Sequence, residues 1–276
     1  YELLSGLVGS EMCIRDRSSN IVSSDRMHSR GFDIISIQVV PYNFYPNSNE
    51  LEVLTDVEVI ITEVGPRVDN INTTTKRSRV FDSLFKDYVI NFETSSRTED
   101  YQLPSILYIC GGNSESSTAL QDLVEWRHQQ GYVVNTASLS ETGNSENQIK
   151  NYIQNAYNTW ENPPEYIALV GDVGGNYSVP TFYNGFGHNS YGNDCEGDLP
   201  YSQLDGNDLL PEVIVGRISV RSNNELGVVV AKTLAYEKAT YIDITGTNWY
   251  ESAALIGDPS SSGQSTICLL YTSDTA

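Results

Sequence analysis

Two patterns of apolar and polar positions divide the chain. From Gly31 to Val64 the two kinds of residue alternate on either side of a turn-rich Pro41–Glu50 stretch, which predicts two or three strands of a small antiparallel β module. Residues 66–79 break the pattern with polar positions and read as a loop, Val80–Ser96 offers a short amphipathic segment, and Phe92–Gln102 reads as a linker.

Beyond the linker the pattern changes. SILYICGG is a continuous apolar run ending in two glycines, and STALQDLVEWRHQQG follows it with apolar Leu120, Leu123, Val124 and Trp126 and a terminating Gly131: a strand, then a helix with its stop. YVVNTASL reads as a second strand, NQIKNYIQNAYNTW as a second helix ended by ENPP, and EYIALVGD as a third buried strand. EVIVGRISV, NNELGVVVAKTLAYEK and WYESAALIGD continue as strand, helix and strand. Continuous apolar strands alternating with helices predict an α/β fold with a mostly parallel sheet covered on both faces. Working residues of such sheets lie beyond the carboxyl ends of the strands, here Gly111, Gly112, Gly171 and Asp172.

Composition narrows the partners. The 276 residues carry 36 acidic against 16 basic side chains, a net charge of -20, which repels phosphate backbones and anionic membrane surfaces. Nucleic acid is therefore not an expected partner. No apolar run is long enough to span a bilayer, and the 18 tyrosines suit an extracytoplasmic bacterial protein. Residues 1–17, which contain SEMCIRDR, and residues 267–276, ending CLLYTSDTA, read as translated sequencing-adapter sequence and are set aside. Cys110 and Cys195 then remain, too few for a disulfide framework.

His188 and Cys195 share an acidic, glycine-rich loop. Asp194, Glu196 and Asp198 would raise the thiol pKa, and this favours ordinary loop residues over a catalytic or metal-binding pair. Cys110 reads as a small packed side chain. The acids of that region are more informative: Asp172 ends a buried strand, while Asp208 and Glu212 frame the turn into the next, so chain reversal would bring three carboxylates together. Such a set suits Ca²⁺, which prefers hard oxygen ligands; the alternative is a solvated acidic loop. CGG and VGDVGG complete neither a dinucleotide fingerprint nor a phosphate loop with lysine, so nucleotide binding is the weakest reading.

The ordered set LVEWRHQQGYVV, PPEYIALVGDV and YSQLDGNDLLPEVIVGRISVRSNNELGVVVAKTLAYEK resembles the gingipain-like family of secreted cysteine peptidases. The upstream strands resemble the end of that family's β-rich propeptide. The resemblance implies a three-layer α/β sandwich of the caspase and gingipain type (residues 101–266), preceded by part of a β-rich prodomain with its linker (residues 18–100). It implies protein or peptide substrates, the chain's own propeptide as partner, and a secreted or cell-surface location. The family's catalytic histidine and cysteine match positions after AALIGD that this chain does not contain, so the polypeptide itself is expected to be inactive. Asp258 matches an acid that orients the histidine, although it also suits a strand-end turn. The resemblance further implies a structural calcium site on Asp172, Asp208 and Glu212, with backbone carbonyls of Asp205 and Leu210. Arg97 is a candidate for propeptide cleavage, or simply a solvated linker residue. A competing reading is a calcium-stabilised adhesion or secretion module that keeps the fold without the chemistry.

Overall fold

The computed structural model describes residues 20–56, 58, 60, 76–183, 196–206 and 208–240. It divides into two compact units, Tyr1–Val230 and Ala231–Ala276; the second is described only as far as Thr240.

The upstream module is a set of short ribbons rather than one sheet. Strands β1 (Ile21–Ser23) and β4 (Ile37–Val39) pair antiparallel, as do β2 (Met27–Ser29) with β3 (Phe32–Ile34) and β5 (Tyr42–Tyr45) with β6 (Glu50–Val53). The expected turn-rich Pro41–Glu50 stretch is half strand: Phe44 pairs with Leu51 and Tyr45 with Glu50, leaving the turn itself to the polar residues between them. The amphipathic segment forms helix α1 (Arg79–Tyr88), whose first turn is capped by the Ser78 hydroxyl accepting from the Phe81 N–H. Its buried Phe81 and Phe85 join Phe32 and Phe92 in an aromatic cluster with centroids 5.1–6.1 Å apart.

The linker is pinned rather than loose. Arg77 and Tyr101 form a parallel bridge, Arg77 donates to the Glu93 carbonyl at 2.9 Å, and the Tyr101 hydroxyl donates to Asp82 at 2.7 Å. Arg97, with a side chain 68% exposed, precedes a single 3-10 turn at Thr98–Asp100.

Downstream, four strands form one parallel sheet in the order β12-β9-β7-β8: β7 (Ser105–Cys110), β8 (Val133–Ser138), β9 (Tyr166–Val170) and β12 (Ile214–Ile218). Helix α2 (Thr118–Gln129) links β7 to β8 and stops at Gly131, whose φ of 91° ends the turn. A short helix α3 (Leu139–Thr142) and α4 (Glu146–Thr159) return the chain across β7 to β9. Ser145 and Gln148 close a capping box at the start of α4. Ile149, Ile153, Ala156 and Tyr157 of α4 pack with Leu107, Ile109, Ile167 and Leu169 in the main core. Ile106, Tyr108 and Cys110, on the opposite face of β7, are buried as well, as are Leu120 and Leu123 of α2. This two-sided burial is why β7 reads as an uninterrupted apolar run.

Between β9 and β12, strands β10 (Phe182–Tyr183) and β11 (Glu196–Gly197) pair antiparallel, and helix α5 (Asn223–Glu237) follows β12. No helix of the described residues is long and apolar enough to cross a membrane.

Candidate functional site

The sheet order places a switch point between β7 and β9, because the chain leaves β7 toward β8 and returns past it to β9. The crevice expected there, beside Gly111 and Gly171, is filled by the chain's own strap Asn176–Val179. A Cβ on Gly111 would stand 2.5 Å from the Tyr177 carbonyl oxygen, and one on Gly171 would overlap the same atom. Both glycines are therefore demanded by backbone approach, and the strap occupies the space in which a phosphate would sit between CGG and VGDVGG.

One arginine holds the strap. Arg217, from β12, donates from Nε and Nη2 to the two carboxylate oxygens of Asp198 at 2.8 and 2.7 Å. Its remaining donors reach the carbonyls of Gly171 (3.0 Å), Val179 (2.8 Å) and Pro180 (3.1 Å). All five guanidinium N–H groups are used. Thr181 donates to the same aspartate at 2.8 Å, so the clamp also fixes the base of the β10–β11 pair.

Asp172 stands at this carboxyl end. Its carboxylate receives Arg221 at 2.5 Å, Ser219 at 2.9 Å and the Val173 N–H at 2.9 Å. The Arg221 guanidinium, with these two further donors, pushes the carboxyl down to about 2.

Asp205, Asp208 and Glu212 lie at the other end of the sheet. Glu212 precedes β12, whose Ile214 pairs with Tyr166 at the start of β9, whereas Asp172 follows the end of β9. The length of β9, about 16 Å at ~3.3 Å per residue, separates the two ends. The expected convergence of Asp172 with Asp208 and Glu212 is thus corrected: strands that run parallel carry the exit of one and the entrance of the next to opposite ends.

The other three acids share one loop, held there by amide hydrogen bonds. The Glu212 carboxylate accepts the Leu204 and Asp205 N–H groups at 2.6 and 3.0 Å, and its second oxygen has no hydrogen-bond partner. Burial, reinforced by Asp205 and Asp208, pushes this carboxyl up to about 8, against the two amide hydrogen bonds that favour its ionised form. Asp208 accepts the Leu210 N–H at 2.8 Å and the His28 N–H at 2.6 Å. Asp205 accepts the Gly206 N–H, and its other oxygen stands 3.4 Å from His28 Nε2. Among the described residues, no group of three or more His, Cys, Asp or Glu side chains is arranged to hold a metal.

Cys110 is fully buried, its thiol 3.8 Å from the Tyr108 carbonyl, and burial together with Glu115 pushes it up to about 12. A nucleophile needs the opposite surroundings. His188, Cys195 and Asp258 lie outside the described residues. Sequence reasoning missed His28, Arg30, Asp198 and Arg217; Gly31 after Arg30 was the one local signal for the hairpin turn.

The model of peptidase family C25 matches residues 100–275, which include this parallel sheet, and the chain belongs to that family. Lys-gingipain of Porphyromonas gingivalis is 28% identical over 246 residues, covering 82% of this chain and 13% of its own length. Gingipain R2 of the same organism is 24% identical over 208 residues, covering 73% of this chain and 26% of its own. The chain thus spans about a quarter or less of these relatives. The crystal structure of the Arg-specific cysteine proteinase gingipain R aligns with 48% of this chain and 28% of its own at 23% identity and a TM-score of 0.39.

Proposed function

We propose that the chain is part of the precursor of a secreted, cell-surface or extracellular cysteine endopeptidase. The observation that carries this is the family match over residues 100–275, a range that includes the whole four-stranded parallel sheet. In this reading the ribbons before Tyr88 are the end of a β-rich propeptide. The sheet is the first part of a three-layer caspase- and gingipain-like domain, and Arg97 is where the precursor is processed.

The nucleophilic cysteine and the histidine base belong to positions after those present here. A thiolate attack on a peptide carbonyl needs an imidazole to take the proton and donors for the oxyanion. The raised pKa and burial of Cys110 support its assignment to packing rather than to that role. Purified chain incubated with a fluorogenic peptide library is expected to show no hydrolysis, while the longer gene product, read through independent flanking DNA, hydrolyses it in a thiol-sensitive manner. Thiol-sensitive hydrolysis by the 276-residue chain itself would refute the placement of the dyad, and an inert longer product would refute the peptidase reading.

Calcium belongs to the same proposal in reduced form. Asp208 and Glu212, with the backbone carbonyls of Asp205 and Leu210, share one loop and offer hard oxygen ligands, a reading supported by the unpartnered oxygen of Glu212; Asp172 is too far away to join them. Millimolar calcium is expected to raise the melting temperature and Asp208→Ala to abolish the rise. An identical melt with and without the ion would remove calcium from the account.

A further inference from the structure

One side chain from the upstream ribbons enters the α/β part of the chain, and the backbone beneath it is strained. Arg30 and Gly31 are the two central residues of the β2–β3 hairpin, with φ of 50° and 84°. A two-residue hairpin turn with both central φ positive favours Asn-Gly, because asparagine tolerates the left-handed region better than a long side chain does. Arginine at the first position is a poor choice for the turn. Its side chain supplies the reason for finding it there.

The residue is 5% exposed. Nε donates to the Glu212 carbonyl at 2.6 Å, Nη1 to Gln102 Oε1 at 3.1 Å and Nη2 to the Pro164 carbonyl at 2.9 Å. The guanidinium carbon lies 4.7 Å from the Phe81 ring centre and 5.1 Å from that of Tyr157. Tyr157, Pro164 and Glu212 belong to the sequence after the linker, and Gln102 is the linker's last residue, downstream of Arg97. The neighbouring residues reinforce the contact: Ser29 donates to the Pro211 carbonyl at 2.6 Å, and the His28 N–H to Asp208 at 2.6 Å. Phe81 of α1 and Tyr157 of α4 apart, these partners precede the amino ends of β7, β9 and β12, the end of the sheet away from the strap.

We infer that this face is a receptor for an arginine-tipped β-hairpin, with Arg30 as the anchor, and that it retains the upstream segment when the chain is cut within Phe92–Gln102. Forked donation to three fixed acceptors, with rings beside the guanidinium, is a recognition mode that lysine cannot reproduce. The contact is remote from the carboxyl-end crevice, so the segment is held by a face that the switch point does not share. The inference is independent of the peptidase reading, since it concerns only what keeps the two parts together.

The test uses the full chain with a recognition sequence for a sequence-specific protease inserted between Ser96 and Arg97. After cutting, the two pieces of the otherwise unchanged chain are expected to co-elute in gel filtration without denaturant. Arg30→Asn preserves or improves the turn while removing the guanidinium; it is expected to raise the dissociation constant of the pieces on the order of a hundredfold, with circular dichroism of the uncut chain unchanged. Arg30→Lys is expected to fall between, at about tenfold, and carries the comparison should the asparagine variant fail to fold. Separation of the unsubstituted pieces overturns the inference, and so does a folded Arg30 variant whose pieces hold together as tightly as the original.

Discussion

Replacing Arg217 by methionine keeps most of the length of the side chain and removes five hydrogen bonds at once. The arginine and Asp198 side chains are 12% and 24% exposed, so the pair is largely withdrawn from water and its loss is not screened as a surface pair would be. The larger part of the cost lies in what is left behind: a half-buried carboxylate without its cation, and the Gly171 and Val179 carbonyls without the Arg217 donor, whereas the Pro180 carbonyl keeps the Tyr201 hydroxyl. Breaking such a pair from one side costs about 3–5 kcal/mol. For a chain of this size that corresponds to a fall in melting temperature of roughly 6–20 °C. Urea titration followed by circular dichroism measures it directly, and Arg217→Lys should recover only part of the loss, because an ammonium cannot fork onto both carboxylate oxygens and the strap carbonyls together. Combining Arg217→Met with Asp198→Asn removes the stranded charge as well, so the double variant should be more stable than the sum of the single losses by about 1–3 kcal/mol. A methionine variant within 1 kcal/mol of the parent, or strictly additive losses, would show that the strap is held by packing and not by this clamp.

Two further outcomes follow from the carboxyl end of the sheet. Gly171→Ala forces a Cβ into the Tyr177 carbonyl and should destabilise the fold by at least ~1–3 kcal/mol, read from the same urea titration; a neutral substitution would mean that the strap is free to lift. Iodoacetamide mapped by mass spectrometry should leave Cys110 unmodified at pH 8 in the folded protein and alkylate it in urea. The sign is simple: burial raises the thiol to about 12, so raising the pH from 7 to 9 leaves the thiolate form minor, and labelling that climbs steeply over that range would contradict the burial.

The elements from Ser105 onward were legible because each carries a local signature. β7 is apolar at nearly every position since both faces are covered, α2 ends at a glycine that takes a left-handed φ, and α4 opens on a Ser-x-x-Gln box. The upstream ribbons were less legible. Strands of three or four residues carry too few alternations to separate strand from turn, and Phe44 and Tyr45 fell on the wrong side of that line. Chain reversal between the two strands suggested that Asp172 would meet Asp208 and Glu212, yet the expected parallel sheet already implied that they could not, because the end of β9 and the start of β12 are opposite ends. Arg30 was invisible for another reason. Its acceptors at Gln102, Pro164 and Glu212 are remote in sequence, and two of the three are main-chain carbonyls, which leave no trace in residue identity.

The short β10–β11 pair has a consequence for anyone wishing to modify this chain. Tyr183 and Glu196 are cross-strand partners, so these two positions of the backbone stand about 5 Å apart. The entropy cost of lengthening a connection between two fixed points grows only with the logarithm of its length, and the two strands are fastened to each other by Thr181 and Asp198. A fluorescent reporter or affinity epitope grafted between Tyr183 and Glu196 would accordingly leave the underlying framework undisturbed.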